Sequence, residues 1–164
     1  MCPSNNDKTQ TSTLDIILRV ALGLGVFFAA ARGVTALMRW RLDEVIRERM
    51  ARHTIVRQAM GANFFGLSSR GMAQARGNGG LVLATDEIFF VLFAPRREFT
   101  IPLRDVVAVS SPRSHLGKKV GMRLLKVEFN TPDGMDSAAW AVSDVDAWMS
   151  DIERHTPFLQ QTRK

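Results

Sequence analysis

Apolar residues change their spacing at Gly61, and that change constrains the fold more than any other feature of the chain. Before it, Leu42, Val45, Ile46 and Met50 recur at helical intervals. After it, Leu125, Val127 and Phe129 alternate with Lys126 and Glu128, the period of a strand with one buried and one wet face. The 164 residues give room for an N-terminal helical part and one strand-rich domain, not for two full domains. Apolar residues make up 46% and charged residues 23%, which excludes a chain disordered throughout. The one cysteine, Cys2, excludes an intrachain disulfide framework and a Cys-rich zinc module.

Turn chemistry divides the second part into strands. Phe64, Phe65 and Leu67 mark the first. Residues 68–80 are a glycine-rich loop carrying Arg70 and Arg76, with a short extended piece near residues 72–75. The loop leads into a strand and no Gly-Lys-Ser/Thr follows, so it is neither a P-loop nor a dinucleotide fingerprint. Residues 81–84 and 88–93 flank a turn at Thr85-Asp86-Glu87. Pro95-Arg96-Arg97 turns the chain into residues 98–103, and residues 106–110 form a further strand. Residues 124–130 and 135–142 flank Thr131-Pro132-Asp133-Gly134, where Pro fixes φ and Gly accepts a positive one. A helix then begins at Ser143 as N-cap, with Asp146 three residues on. It places Val145, Trp148, Met149 and Ile152 on one face and stops at Pro157. The expected order is about seven antiparallel strands, then one helix that covers the sheet.

Gly80-Leu81-Val82-Leu83-Ala84-Thr85-Asp86-Glu87-Ile88-Phe89-Phe90 resembles the second and third strands of GRAM and bacterial pleckstrin-homology-like domains. Phe99-Thr100-Ile101-Pro102-Leu103, with Val106 and Val109, is similar to their next two strands, and Trp148 matches the tryptophan of their capping helix. The resemblance covers residues 62–155. It implies a mainly β, α+β fold: a strongly bent antiparallel sheet or barrel capped by a C-terminal helix. The Lys-x-Lys/Arg run of phosphoinositide-binding members is absent; only Arg70 and Arg76 stand in the equivalent loop. Fold alone supplies no function.

The first part is organised by an apolar segment. Residues 1–13 are polar and read as a disordered tail. Residues 14–38 are apolar, interrupted by Asp15, Arg19 and Arg32. A bilayer span needs about 20 apolar residues, so both arginines must snorkel toward the interfaces. Each large apolar residue favours insertion by about 0.3–0.6 kcal/mol, for a total of roughly 3–7 kcal/mol. An arginine at the centre costs about 2.5–3.5 kcal/mol, and neither is central. The balance favours a single-pass helix. A soluble docking helix and a surface-lying amphipathic helix are the alternatives; a cleaved signal peptide fits poorly, because the positive residues follow the apolar run. Ala21, Gly25, Ala29 and Gly33 form a small-residue stripe of the kind through which membrane helices associate, which points to a homodimer. Residues 39–60 read as a basic juxtamembrane helix with Asp43–Arg47 and Glu48–Arg52 pairs, followed by a domain over 61–156 and a tail over 157–164. The arginines after the apolar run place the C-terminal part in the cytoplasm. The basic set, 17 Arg to 5 Lys with no Tyr, associates the chain with a GC-rich bacterial genome and hence the inner membrane.

Basic residues gather in the middle of the domain. Arg113, Lys118, Lys119 and Arg123 lie in one long loop, and Arg96 and Arg97 in a turn. These are the candidate contacts for anionic lipid headgroups or an acidic peptide. Nucleic acid is not expected, since no recognition-helix signature is present and Phe89, Phe90, Phe93 and Phe99 read as core. His53, His115 and His155 are far apart and none has metal-ligand spacing, so no catalytic residue, metal or cofactor is assigned. Asp133 and Asp136 read as turn chemistry. The sequence describes a membrane-anchored, non-enzymatic adaptor or scaffold. The alternative is a soluble interaction protein whose first helix self-associates or docks on a partner.

Overall fold

The structure, a computed structural model, describes residues 7–71, 73–119 and 121–161. The chain divides into two compact units, Met1–Arg41 and Leu42–Lys164. A long helix, α1 (Asp7–Arg49), supplies most of the first and opens the second. It begins inside the segment read as a disordered tail. No Gly or Pro lies between Asp7 and Thr13, so each residue added upstream of the apolar run adds a hydrogen bond.

Within the first unit, Ile16, Ile17, Leu18, Leu22, Val26, Phe27 and Phe28 are exposed. Residues 100° apart in succession send these side chains to every side of the helix. Asp15 and Arg19 form an ion pair at 2.9 Å. The Thr35 hydroxyl is satisfied within the helix, donating to the carbonyls of Arg32 (2.9 Å) and Ala31 (3.1 Å).

The second unit is the strand-rich domain. Its strands are β1 (Ile55–Leu67), β2 (Gly77–Ala84), β3 (Glu87–Leu92), β4 (Arg97–Pro102), β5 (Val106–Ser110), β6 (Ser114–His115), β7 (Lys118–Lys119), β8 (Leu125–Thr131) and β9 (Gly134–Ala141). Seven of them form one antiparallel sheet in the order β4-β3-β2-β1-β9-β8-β5. Helix α2 (Val145–His155) follows, then α3 (Pro157–Gln161). This is the mainly β, bent antiparallel sheet with a C-terminal helix that the pleckstrin-homology resemblance implies.

The bend is built into β1. Its first ten residues pair with β2 and its last five with β9, so one strand serves both halves of the sheet. The register shifts between Met60 and Ala62 against β2, and between Phe64 and Gly66 against β9. Gly61 (φ 87°) and Gly66 (φ 116°) sit at these shifts. An extra residue on one strand bends it and increases its twist. Gly61 is thus a bulge inside a strand and not the boundary between helix and domain. Helix α1 ends at Arg49, and the β-branched Ile55-Val56 already belongs to β1.

Alternation then sorts the side chains. On the inner face, Phe64, Leu81, Phe90, Val127 and Trp140 join Val145, Trp148 and Ile152 from α2 in the main core. Phe64, Phe90, Phe99 and Trp140 form a ring cluster with centroids 5.0–6.0 Å apart. On the outer face of β2 and β3, Val82, Ala84, Phe89 and Val91 are covered by Leu42 and Ile46 from the end of α1 and by Met50 just after it. The basic helix read from the sequence therefore has a buried face, and Arg47 pairs with Glu44 at 2.8 Å. A third cluster, Phe65, Leu124 and Ala139, lies on the outer face of β1 and β9.

Helix α2 is tied to the sheet by charge as well as packing. Asp151 is buried and bonds Arg57 of β1 and Arg154 of its own helix. Arg57 also lies 5.8 Å from the Trp148 ring centroid. The N-cap is Asp144, one residue later than expected, in a left-handed conformation (φ 56°) and accepting from the Ala147 amide. Asp146, the expected capping-box partner, instead holds Arg123 through both carboxylate oxygens. Pro157 does not begin a tail but opens α3, where its missing N–H costs nothing.

Candidate functional site

The sequence-predicted basic residues fall into two groups. Arg96 and Arg97 lie at the β3–β4 turn, both exposed. Arg113, Lys118, Lys119 and Arg123 lie on the excursion between β5 and β8. That excursion is a small hairpin and not an open loop. Ser114 pairs with Lys119 and His115 with Lys118 across Leu116 (φ 48°) and Gly117 (φ 73°). Two successive positive φ values are what a type I′ hairpin turn demands.

The hairpin is anchored at two points. The buried His115 ring bonds the Gly66 carbonyl through Nε2 at 3.0 Å. Burial, with Lys126 and Arg76 nearby, pushes its pKa below the ordinary histidine value. Arg123 donates to Ser111 at 2.6 Å and to both oxygens of Asp146. That hydrogen bond raises the Arg123 pKa and lowers that of Asp146. Arg123 is therefore paired with Asp146 at the domain surface. Arg113 is exposed. The side chains of Lys118 and Lys119 lie outside the described part of the structure.

Around the other group, the fold builds a cavity. A space of about 60 Å³ opens between the β1–β2 connection and the start of β4. Phe64, Phe90, Leu92 and Phe99 line it with apolar surface; Arg70, Arg97 and Glu98 contribute charge to its lining. Its wall is fixed by hydrogen bonds. The Gln74 amide accepts from the Leu67 N–H (2.8 Å) and donates to the Leu67 carbonyl (2.8 Å) and that of Gly71 (2.5 Å). A Cβ on Gly66 would fall 2.7 Å from the Gln74 amide, so only glycine leaves room for this wall. The short extended piece expected near residues 72–75 is absent at residues 73–75; Met72 lies outside the described residues.

Arg70 is positioned by a buried carboxylate. Asp136 accepts from Ser68 Oγ (2.6 Å), Ser69 N–H (2.9 Å), Ser69 Oγ (2.6 Å) and its neighbour's Ser137 N–H (2.7 Å). Burial alone would raise its pKa, but these bonds prevail and hold it below the ordinary carboxylate value. They pin the 3-10 turn Ser68–Arg70 against β9. Asp136 is thus more than turn chemistry. The sequence did signal an unusual acid, since Asp136 interrupts a run of small and apolar residues in β9.

Of these cations, Arg96 is paired with Glu98 at 2.7 Å. Among the described residues, Arg70 and Arg97 have no ion-pair partner. The three histidines are separately engaged: His53 with Asp86 at 2.9 Å, His115 as above, and His155 with the Asp151 carbonyl at 2.8 Å. In the first unit, Ala21, Gly25, Ala29 and Gly33 share one exposed side of α1, and nothing approaches within 4 Å of a Cβ built on Gly25 or Gly33.

No protein-family model matches the chain, and no curated protein matches it. Solved structures resemble it at low identity. The C-terminal domain of an unknown protein from Leishmania infantum is 14% identical over 70% of this chain and 96% of that one, with a TM-score of 0.50. The Vps36 N-terminal PH domain is 14% identical over 69% of this chain and 83% of its own, with a TM-score of 0.49. A structure titled for SsgB mutations and sporulation-linked cell division in Streptomyces coelicolor is 14% identical, covering 66% and 93%, with a TM-score of 0.35. At such identities the likeness concerns fold and not function.

Proposed function

We propose that this chain is a membrane-anchored, non-enzymatic interaction protein. Its first helix crosses the bilayer over residues 14–38 and its pleckstrin-homology-like domain binds a protein partner or anionic headgroups on the cytoplasmic side. The observation that carries the reading is the surface of α1. Twelve large apolar side chains between Ile16 and Trp40 are 51–70% exposed. They face all sides, so no single docking partner would cover them, whereas lipid does. The helix is long and apolar enough to cross a membrane. Its 25 apolar-segment residues extend about 37 Å at about 1.5 Å each, more than the roughly 30 Å hydrocarbon core. The Asp15–Arg19 pair softens the charge near one end. Trp40, between Arg39 and Arg41, supplies the aromatic and basic residues that favour an interface at the other. The excess of arginine after the segment supports the cytoplasmic orientation.

A second reading rests on the small-residue side of α1. Ala21, Gly25, Ala29 and Gly33 would let two helices approach closely, in a membrane or in a soluble dimer. Carbonate washing of membranes separates the readings, using the full chain and a version starting at Arg39. The anchored protein stays in the pellet only as the full chain. A full chain that washes off would make α1 a docking helix.

A further inference from the structure

The cavity beside Arg70 and Arg97 combines two chemistries that call for one kind of occupant. Its floor is the edge of the aromatic cluster: Phe64, Phe90 and Phe99. Phe99 and Leu67 remain only half-buried, so apolar surface is left uncovered at the mouth. The volume, about 60 Å³, is small, which favours a short apolar group over a long acyl chain. Arg70 and Arg97, exposed and without ion-pair partners among the described residues, are lining residues, and the Glu98 carboxylate beside them is held by Arg96. The opening is therefore apolar inside and anion-seeking at its edge.

We propose that this cavity is a docking site for a partner polypeptide that presents a short apolar side chain immediately beside a carboxylate, as in a chain terminus ending in a leucine-like residue. The apolar group displaces water from the Phe64–Phe90–Phe99 floor. The carboxylate meets the Arg70 and Arg97 guanidiniums, whose planar forks match a carboxylate's two oxygens. The site is pre-formed: Gln74 is locked by three hydrogen bonds, and the turn carrying Arg70 is pinned by Asp136. Little backbone freedom is then lost on binding. A polyphosphorylated headgroup suits the site less well, because it has no apolar group for the floor.

The proposal rests on reading Leu42–Lys164 as an interaction domain. It is independent of whether α1 spans a bilayer, which the carbonate wash decides separately. The test uses the full isotope-labelled chain in neutral-lipid nanodiscs, following the amide resonances of Ala75, Arg97 and Phe99. The probes are N-acetyl-leucine, its uncharged amide, and inositol trisphosphate as a headgroup stand-in. The expected result is saturable shifts with the acid and affinity at least tenfold weaker for the amide. Arg97→Gln should remove most of that difference, and Ala75→Leu, which fills the cavity, should abolish both responses. Arg97 is exposed, so its variant keeps the fold and the test intact. Absent shifts at these amides, equal affinity for acid and amide, or binding of inositol trisphosphate in preference to N-acetyl-leucine would each overturn the proposal.

Discussion

Ser68 and Asp136 stand 68 residues apart in the chain, yet the serine hydroxyl donates to the carboxylate at 2.6 Å. With Ser69 they close the β1–β2 connection onto β9, at the point where the bent sheet carries its candidate site. Removing the carboxylate takes the acceptor from the Ser69 N–H and from both serine hydroxyls, while the Ser137 N–H keeps Ser68 Oγ at 2.9 Å. Hydrogen bonds to a charged group contribute about 1.5–3 kcal/mol each in favourable cases, and they are not additive. Asp136→Ala should therefore cost about 2–4 kcal/mol in urea unfolding and speed amide exchange at Ser69 and Arg70. Asp136→Asn, which keeps one acceptor oxygen, should cost less. A loss within experimental error for the alanine variant would remove the clamp from the account of the site.

Gly79 and Gly80 are neighbours in β2 but answer to different constraints. A Cβ on Gly79 would fall 2.2 Å from the Val91 carbonyl oxygen and 2.6 Å from the Phe90 ring. Backbone in a paired strand cannot retreat. A Cβ on Gly80 would meet only the methyl ends of Ile46 (2.7 Å) and Leu42 (2.8 Å), which can rotate. Gly79→Ala should destabilise the domain by about 3 kcal/mol and Gly80→Ala by about 1 kcal/mol. Thermal melts of the two variants side by side would show the order; a reversed order would contradict the packing of α1 on β2.

Acid should loosen the β6–β7 hairpin before the rest of the domain. His115 is buried against Gly66, and burial first, then Lys126 and Arg76, lower its pKa in the folded chain. The unfolded chain therefore binds the proton more readily, so stability is present above about pH 6.5 and is lost as pH falls toward the lowered folded value. Asp136, also lowered, adds a second loss below about pH 3.8. His115→Gln keeps a donor for the Gly66 carbonyl but cannot titrate. Stability measured from pH 7 to pH 5 should slope downward in the native chain and flatten in this variant. Identical slopes would mean that the histidine proton plays no part.

Much of the domain was legible because its signals are local. The alternation in β8, the Pro132-Asp133 turn and the apolar stripe of α2 each follow from a few adjacent residues. What escaped was set by contacts across the fold. Gly61 reads as a boundary because a glycine after a helical pattern is a stop signal, but here it supplies the positive φ of a bulge. The hairpin at Leu116-Gly117 escaped because its strands are two residues long and show no alternation. Arg123 reads as a free cation until α2 brings Asp146 beside it, 23 residues on. Arg70 escaped the list of candidate contacts because its significance comes from Ser68, Ser69 and Asp136, which only the closed sheet brings together.

The surface of α1 makes a quantitative demand on any account of the first unit. Val26 and Phe27 lie near the middle of the apolar segment and are 64% and 67% exposed. In a bilayer, each favours insertion by about 0.3–0.6 kcal/mol, whereas an aspartate there opposes it by about 2.5–3.5 kcal/mol. The double variant Val26→Asp, Phe27→Asp therefore swings the balance by roughly 6–8 kcal/mol, against a favourable total of roughly 3–7 kcal/mol. It should wash off with carbonate while the native chain stays. Arg32→Leu works in the opposite sense, removing the charge that lies deepest from the basic flank, and should survive harsher extraction than the native chain. A double variant that pellets like the native chain would mean that these side chains do not sit in lipid, and α1 would then have to be covered by protein.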